Sequence, residues 1–274
     1  MQTATNPINP SIFPPTFPAR WASEWGQDHF GLYMDLNHQG VCQRFRWILP
    51  GSFLMGSPEN EAERESWSGD ETQHRVTLNY GFWLADTACS QALWQAVMND
   101  NPSHFKGDPG LPVENVSWLD VQEFIERLNA LFPDLQAKLP TEAQWEYACR
   151  AGTQTPFSFG DDITPEQVNY DGNYPYAGGS KGLYRQQTVP VKSLPPNPWG
   201  LYEMHGNVWE WCADWYGDYP KQAVIDPQGP DQGHGRVVCG GSWRNDAGGT
   251  RSANRRRDGP DDRNSDLGFR LAPG

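Results

Sequence analysis

The chain has 274 residues, of which 37% are hydrophobic and 13 are tryptophan, so it is long and apolar enough to build a sizeable core. Its 28 glycines and 24 prolines are spread among aromatic residues without low-complexity repetition, which indicates a loop-rich folded protein. The net charge of −13 would repel a phosphate backbone, and we therefore expect no nucleic acid partner.

The start of the chain shows neither a basic segment followed by an apolar run nor a stretch long enough to cross a membrane. We therefore expect no signal peptide and no membrane span. The cysteines are odd in number, widely spaced and without a CxxC pair: Cys42, Cys89, Cys149, Cys212 and Cys239. This pattern favours reduced structural thiols and a protein that is cytoplasmic as synthesised, with its final location left open.

Residues 1–42 are rich in proline and lack periodicity, and we interpret them as an extended lead-in that contacts the domain through Trp21 and Trp25. Residues 43–57, QRFRWILPGSFLMGS, predict a hairpin, that is, two strands joined by a Pro-Gly turn.

The next segments predict a loop and further strand. The acidic stretch 59–73 is a loop candidate, and residues 74–90 alternate well enough to be strand.

Three helices are predicted next, each from an N-cap residue. Ser90 begins the first, which places Leu93, Val97 and Met98 on one face. Ser117 begins the second, whose apolar stripe consists of Val121, Phe124, Ile125, Leu128 and Leu131. Thr141 begins a shorter third helix, with Gln144 at the capping-box position and Gly152 near its end. From Thr153 onward the pattern predicts only short aromatic strands between turns.

Seven motifs occur in an order that resembles the formylglycine-generating-enzyme (sulfatase-modifying factor) superfamily. They are GSFLMGS, SQALWQAVM with NPSHF, LPVENVSWLDVQEF, LPTEAQWEYACRAG, NPWGLYEMHGNVWEWCADWY, GGSW and LGFRLA. The similarity covers about residues 43–273. It implies one α+β domain over residues 43–274 with the C-type-lectin-like fold, which is loop-rich and has two main helices and small twisted antiparallel sheets.

The resemblance also allows a test for enzymatic activity. Family members that generate formylglycine carry two cysteines a few residues after the GGS stretch, and these bind copper. Here residues 240–257, GGSWRNDAGGTRSANRRR, contain no cysteine, and we interpret Cys212 and Cys239 as buried packing residues. We therefore favour a protein that is not an enzyme. The alternative is a formylglycine-generating or related non-heme metal oxidoreductase that lacks the usual cysteine pair.

The sequence also bears on iron and calcium. Iron-dependent relatives hold iron with histidines, but the six histidines here form no HxH or HxxxH pair, and His205 is interpreted as a hydrogen-bonded structural residue. We expect no copper or iron. The resemblance implies a structural Ca²⁺ site made of Glu203, the carbonyls of Gly206 and Val208, and Glu210. The competing interpretation, that Glu210 caps backbone amides, is left open.

The C-terminal segment resembles the variable region of diversity-generating retroelement variable proteins, a non-catalytic branch of the superfamily. Residues 240–273 would form this region, between the anchors GGSW and LGFRLA. Adenine-directed mutation of Asn codons that end in a pyrimidine cannot yield Lys, Glu, Gln, Met or Trp, and residues 244–266 contain none of these. The resemblance implies that Arg251, Arg255 and Arg270 brace the loops.

We therefore expect a non-enzymatic ligand-binding protein that presents a diversifiable surface to an unknown protein or other macromolecule through residues 244–266. The predicted contact residues are Trp243, Arg244, Asn245, Asp246, Gly249, Asn254, Arg256, Asp258, Asp262, Asn264, Ser265 and Asp266. A merely solvated loop surface is the alternative interpretation of the same segment.

Overall fold

Three helices and three small sheets are present in the computed structural model, which describes residues 12–64 and 71–274. The start of the predicted lead-in, residues 1–11, and residues 65–70 of the predicted acidic loop lie outside the described residues. The helices are α1 Gln91–Met98, α2 Trp118–Leu131 and α3 Glu142–Arg150. The strands are β1 Glu24–Asp28, β2 Gly31–His38, β3 Val41–Ile48, β4 Gly51–Met55, β5 His74–Leu78, β6 Phe82–Ala85, β7 Trp209–Trp215, β8 Val224–Ile225, β9 Arg236–Cys239, β10 Arg255–Asp258 and β11 Leu267–Phe269.

The sheets have the strand orders β1-β2-β3-β6, β10-β9-β7-β11 and β4-β5-β8. Most neighbouring strands are antiparallel, while β11 runs parallel to β7 and β8 runs parallel to β5. Because β7 lies between β9 and β11, the two ends of the C-terminal segment are held on opposite sides of one strand.

The prediction of an extended lead-in as far as residue 42 is wrong over residues 24–42, which form β1, β2 and the start of β3. The turn between β2 and β3 explains the error. Gln39 and Gly40 both have positive φ, 52° and 82°, and join His38 directly to its partner Val41. Two residues with positive φ form the tight turn that suits a twisted hairpin. Gln-Gly is a weak turn signal, so the sequence did not predict this hairpin.

The predicted hairpin over residues 43–57 is also wrong, although both of its strands exist. Strand β3 pairs with β2 and β6, whereas β4 pairs with β5, so the Pro-Gly link at Pro50 passes from one sheet to another. Alternation of apolar residues identifies a strand but carries no information on its partner.

The helix predictions are confirmed at their N-termini. The side chains of Ser90, Ser117 and Thr141 accept hydrogen bonds from the backbone N–H groups three residues on, and the last two form complete capping boxes. Such caps satisfy amides that have no partner within the helix. On α2 the predicted apolar stripe is buried except for Leu131, which is exposed at the helix end.

The main core lies where α1 and α2 meet the C-terminal strand β11. Trp94 of α1 stacks on Phe124 of α2, with ring centroids 5.2 Å apart, and the edge of Phe269 of β11 contacts both rings. Aromatic pairs in these geometries add to the stability gained from apolar burial. This architecture confirms the predicted α+β, C-type-lectin-like fold class.

Within the described part of the chain, no helix has both the length and the apolar character that a membrane crossing requires.

Candidate ligand-binding surface

The C-terminal segment begins with a turn that only glycine fits. Gly240 and Gly241 have φ values of +96° and +70°, and a Cβ on Gly241 would lie 2.5 Å from the carbonyl oxygen of Gly249. Ser242 follows and is fully buried, with its Oγ 2.7 Å from Asp266 Oδ2 and 2.6 Å from Asn245 Oδ1. The GGS stretch therefore closes the start of the segment onto its end.

Trp243 lies half-buried at the centre of this surface. Its ring stacks on Tyr184 at a centroid distance of 6.2 Å and meets Phe105 edge to face at 5.4 Å. Its Nε1–H donates to the carbonyl of Ser265 at 3.3 Å. Three separate loops thus converge on one indole ring, which fixes its position while leaving part of it accessible.

Buried arginines hold the framework, as the resemblance implied. Arg251, which is fully buried, donates to Glu61 at 2.7 Å and to Glu71 at 2.8 Å. Arg255 forms an ion pair with Glu142 at the start of α3.

Arg270 makes the most connected of these pairs. Its Nε and Nη2 donate to the two oxygens of Glu210 at 2.6 and 2.7 Å, and the indole N–H of Trp145 donates to the same carboxylate at 2.7 Å. Bidentate pairs between arginine and carboxylate are strong and directional when buried.

Nine of the twelve predicted contact residues are exposed or half-buried, and we call these nine the exposed array. They are Trp243, Arg244, Asn245, Asp246, Arg256, Asp258, Asp262, Asn264 and Ser265. The other three are buried. Gly249 lies in a 3-10 turn, Asn254 is only 1% exposed just before β10, and Asp266 is 2% exposed because it accepts from Ser242 and Arg244. These three are buried in the framework, and we therefore do not include them in the exposed array.

Charges of both signs meet on the exposed array. Arg244, half of whose side chain is exposed, forms an ion pair with Asp266 at 2.8 Å. Arg256 lies over the Trp209 ring, with its guanidinium carbon 5.5 Å from the centroid. Burial, and then the negative charges of Asp262 and Asp266, raise the pKa of Asp258 to about 6. The surface is therefore mixed in charge and contains an aromatic centre.

Sequence reasoning missed the aromatic neighbours of this array. Phe105, Tyr184 and Trp209 contact array residues from loops or strands far away in the sequence. Phe105 belongs to the NPSHF motif, which was used only to identify the family. No local periodicity places these rings beside the C-terminal segment.

His205 connects the C-terminal segment to the loop that carries Ser158. It is 2% exposed, with Nδ1 2.8 Å from the carbonyl oxygen of Thr250 and Nε2 3.1 Å from the backbone nitrogen of Ser158. The carbonyl can only accept and the backbone N–H can only donate, so the ring is neutral with its proton on Nδ1. Burial lowers the pKa of His205 to about 4. Its interpretation as a hydrogen-bonded structural residue agrees with this geometry.

The residues predicted for calcium do not fit the ion. Both oxygens of Glu210 accept from Arg270, and one also accepts from Trp145, so a positive charge already occupies the position beside the carboxylate. Glu203 is buried and accepts the backbone N–H groups of Lys192 and Leu194 at 3.2 and 3.3 Å. Burial raises the pKa of Glu203 to about 7. Ca²⁺ requires several accessible oxygens, and both carboxylates of the predicted set already accept hydrogen bonds from protein donors.

The thiols fit copper no better. Cys212 and Cys239 are buried with their sulfur atoms 3.9 Å apart on neighbouring strands. Burial raises the pKa of both thiols, so the thiolate form that binds a soft metal is disfavoured. All five cysteines are unpaired, four of them buried and Cys42 exposed.

A comparison with known families assigns the chain. The model described as "Sulfatase-modifying factor enzyme 1-like domain" matches residues 33–273. The chain belongs to this family. The family resemblance seen in the sequence is thereby confirmed, and the match begins within β2, upstream of the residue at which the sequence pattern placed the domain boundary.

Curated relatives include a formylglycine-generating enzyme and a serine/threonine-protein kinase. The formylglycine-generating enzyme of Streptomyces coelicolor is 37% identical over 180 residues, which are 62% of this chain and 55% of that protein. The serine/threonine-protein kinase pkn1 of Chlamydia caviae is 38% identical over 168 residues, which are 60% of this chain and 24% of that protein. The chain therefore spans between a quarter and about half of the length of these relatives.

Solved structures of the same fold include a variable protein. Treponema denticola variable protein 1 aligns with a TM-score of 0.75 and 28% identity, covering 88% of this chain and 98% of that chain. PvdO from Pseudomonas aeruginosa aligns with a TM-score of 0.67 and 24% identity, covering 93% and 99%, and shows the fold alone.

Replacement of His205 by Gln is expected to change how stability depends on pH. Because the native state excludes the proton down to about pH 4, the contribution of His205 is fully present above about pH 6.5 and is lost as pH falls, by about 3 kcal/mol in total. The measurement is urea unfolding at several pH values for the natural protein and His205→Gln, with exposed His234→Gln as control. A difference between natural protein and His205→Gln that stays constant with pH would contradict a neutral buried ring.

Calcium is expected to leave the melting temperature unchanged, since the oxygens of Glu203 and Glu210 already have protein donors. A native-state site would add about 4 kcal/mol at roughly 1,000 times its Kd. Scanning calorimetry with CaCl₂, MgCl₂ or EDTA tests this. A saturable rise in melting temperature that is specific for calcium and absent in Glu203→Gln would show that the ion displaces these donors.

Proposed function

We propose that the protein is a non-enzymatic ligand-binding protein that presents the exposed array to another protein. The observation that carries this proposal is the contrast between the array and its support. Nine exposed or half-buried residues lie on a framework held by buried arginine–carboxylate pairs and by the apolar strand β11. Such a framework allows exposed residues to be exchanged without loss of packing.

The composition of the array favours a protein as ligand. Protein interfaces are rich in tryptophan, tyrosine and arginine, and their strongest contacts are aromatic or arginine side chains surrounded by polar residues. Trp243 provides an anchored ring, and Arg244 and Arg256 provide exposed guanidinium groups around it. A nucleic acid remains disfavoured by the net charge of −13.

The similarity to Treponema denticola variable protein 1 supports the idea that this surface is diversified. It extends over 88% of the chain, so most of the fold is alike. We propose that residues 240–273 form a variable region whose exposed positions differ between copies of the gene. An adenine-rich near-copy of the DNA encoding these residues, beside a reverse-transcriptase gene, would be the genetic counterpart.

A second candidate function is oxidation of a cysteine to formylglycine or a related metal-dependent oxidation. The 37% identity to the formylglycine-generating enzyme of Streptomyces coelicolor favours it. Against it, no cysteine occurs between Gly240 and Asp266, and the buried Cys239 thiol has a pKa raised well above its usual range.

A display experiment tests the proposal. One library randomises seven positions of the exposed array and keeps Trp243 and Asn245, whose contacts hold the surface together. A matched library randomises the buried residues Gly249, Asn254 and Asp266. Exposed substitutions are expected to change the free energy of unfolding by about 0.5 kcal/mol or less each, and buried ones to cost about 1–3 kcal/mol. The first library should therefore stay folded and yield binders to a chosen target such as lysozyme, whereas the second should lose resistance to protease.

Two results would overturn the proposal. One is an array library that unfolds as readily as the library of buried positions. The other is conversion of a cysteine-containing sulfatase peptide to formylglycine by the copper-treated protein, detected by mass spectrometry with the Streptomyces coelicolor enzyme as positive control.

A further inference from the structure

A cavity lies outside the exposed array, between the start of α3, the end of β7 and the loop that carries β8. Its volume is about 510 Å³, which is within the usual range for small-molecule sites. Apolar side chains form much of its wall, among them Trp215, Ile225, Pro227 and Pro230. Strand β10 lies between the cavity and the exposed array. Its residue Arg255 is buried and lines the cavity, whereas the next residue, Arg256, is exposed in the array.

Two buried carboxylates, Glu142 and Asp214, line this cavity, and only Glu142 forms an ion pair within the described residues. Glu142, 5% exposed, pairs with Arg255 and also accepts the hydroxyl of Tyr219 at 2.8 Å. Asp214, 4% exposed, accepts the backbone N–H of Glu142 at 2.8 Å. Within residues 12–64 and 71–274, no lysine, arginine or histidine forms an ion pair with Asp214.

A buried carboxylate that lacks a counter-ion is costly and is neutralised either by a proton or by a cation. Burial, and then the negative charge of Glu142, raise the pKa of Asp214 to about 7. The ionisable or charged groups that surround it come from five segments: His74 on β5, Glu142 on α3, Asp218 and Tyr219 after β7, Arg236 on β9 and Arg255 on β10. Glu142 pairs directly with Arg255, whereas Asp214 has no direct ion pair among the described residues. Arg236 is the other cation nearby, but it donates to the carbonyl of Ala213 and lies over the Trp215 ring.

We propose that this cavity binds a small organic monocation, an alkylammonium or alkylguanidinium group, whose charged end pairs with Asp214 and whose apolar part contacts Trp215 and Ile225. An organic cation fits better than a metal ion, because the described residues hold no cluster of three or more metal-ligating side chains. The apolar walls suit an alkyl chain, and the aromatic ring of Trp215 lies on the same wall. The site shares no residue with the exposed array and does not depend on the function proposed for it.

Isothermal titration calorimetry of the full chain with butylguanidinium tests the site, with the neutral isostere butylurea as matched ligand. Butylguanidinium is expected to bind, and its affinity should rise about tenfold between about pH 6 and about pH 8, as Asp214 loses its proton. Asp214→Asn keeps an oxygen acceptor for the Glu142 amide and removes the charge, so it should weaken binding about tenfold or more and abolish the pH dependence. Asp218→Asn, which neutralises an exposed carboxylate at the rim, should leave binding within about twofold.

Several outcomes would overturn this site. They are the absence of binding by butylguanidinium near pH 8, equal binding of butylurea, and Asp214→Asn that binds as tightly as the natural protein. The pH dependence and the butylurea comparison need no variant, so they decide the matter even where a substitution impairs folding. Failure here leaves the exposed array untouched, because that proposal is tested by display of array variants.

Discussion

The buried pair between Glu210 and Arg270 connects more of this molecule than any other interaction described above. Besides both oxygens of Glu210, the guanidinium of Arg270 donates to the carbonyls of Ala85 at 3.1 Å and Tyr202 at 3.0 Å. Glu210 in turn accepts from Trp145 of α3. One ion pair therefore joins β6, β7, α3, the loop before β7 and the end of β11. A charge pair of this kind is stable inside a protein only when its hydrogen-bonding groups have partners, and here every guanidinium nitrogen of Arg270 and both oxygens of Glu210 have one.

Two other buried arginines stabilise loops in the same way, by pairing with carboxylates. Arg251 holds Glu61 and Glu71 of the loop after β4, and Arg255 holds Glu142 at the start of α3. A loop-rich fold has few ladders of backbone hydrogen bonds, so it needs side chains that satisfy several acceptors at once. Arginine does this better than lysine because its planar fork makes several directed hydrogen bonds. The rigid support of the exposed array follows from this choice of residue.

The sequence predicted local features well and distant ones poorly. The caps at Ser90, Ser117 and Thr141 were predictable because a cap depends on residues three positions apart. The partners of β3 and β4 were not, since pairing depends on contacts far along the chain. The same limit applies to the site. Polar composition identified the array, but the burial of Asn254 and Asp266 and the presence of Tyr184 depend on tertiary packing. The position of Arg270 beside Glu210, a residue of the predicted calcium set, was equally unpredictable, because no local pattern brings the two together.

The order of elements along the chain makes the parallel strand β11 the last part of the core to be synthesised. The exposed array precedes β11 in the sequence, and β11 pairs with β7 and is followed at once by Arg270. A chain that is truncated within the array therefore loses both the strand and the guanidinium that neutralises Glu210. Such a product retains a buried carboxylate without a counter-ion and a core without Phe269, and it cannot complete the fold. Folding of the chain therefore depends on translation through the array to the end of β11.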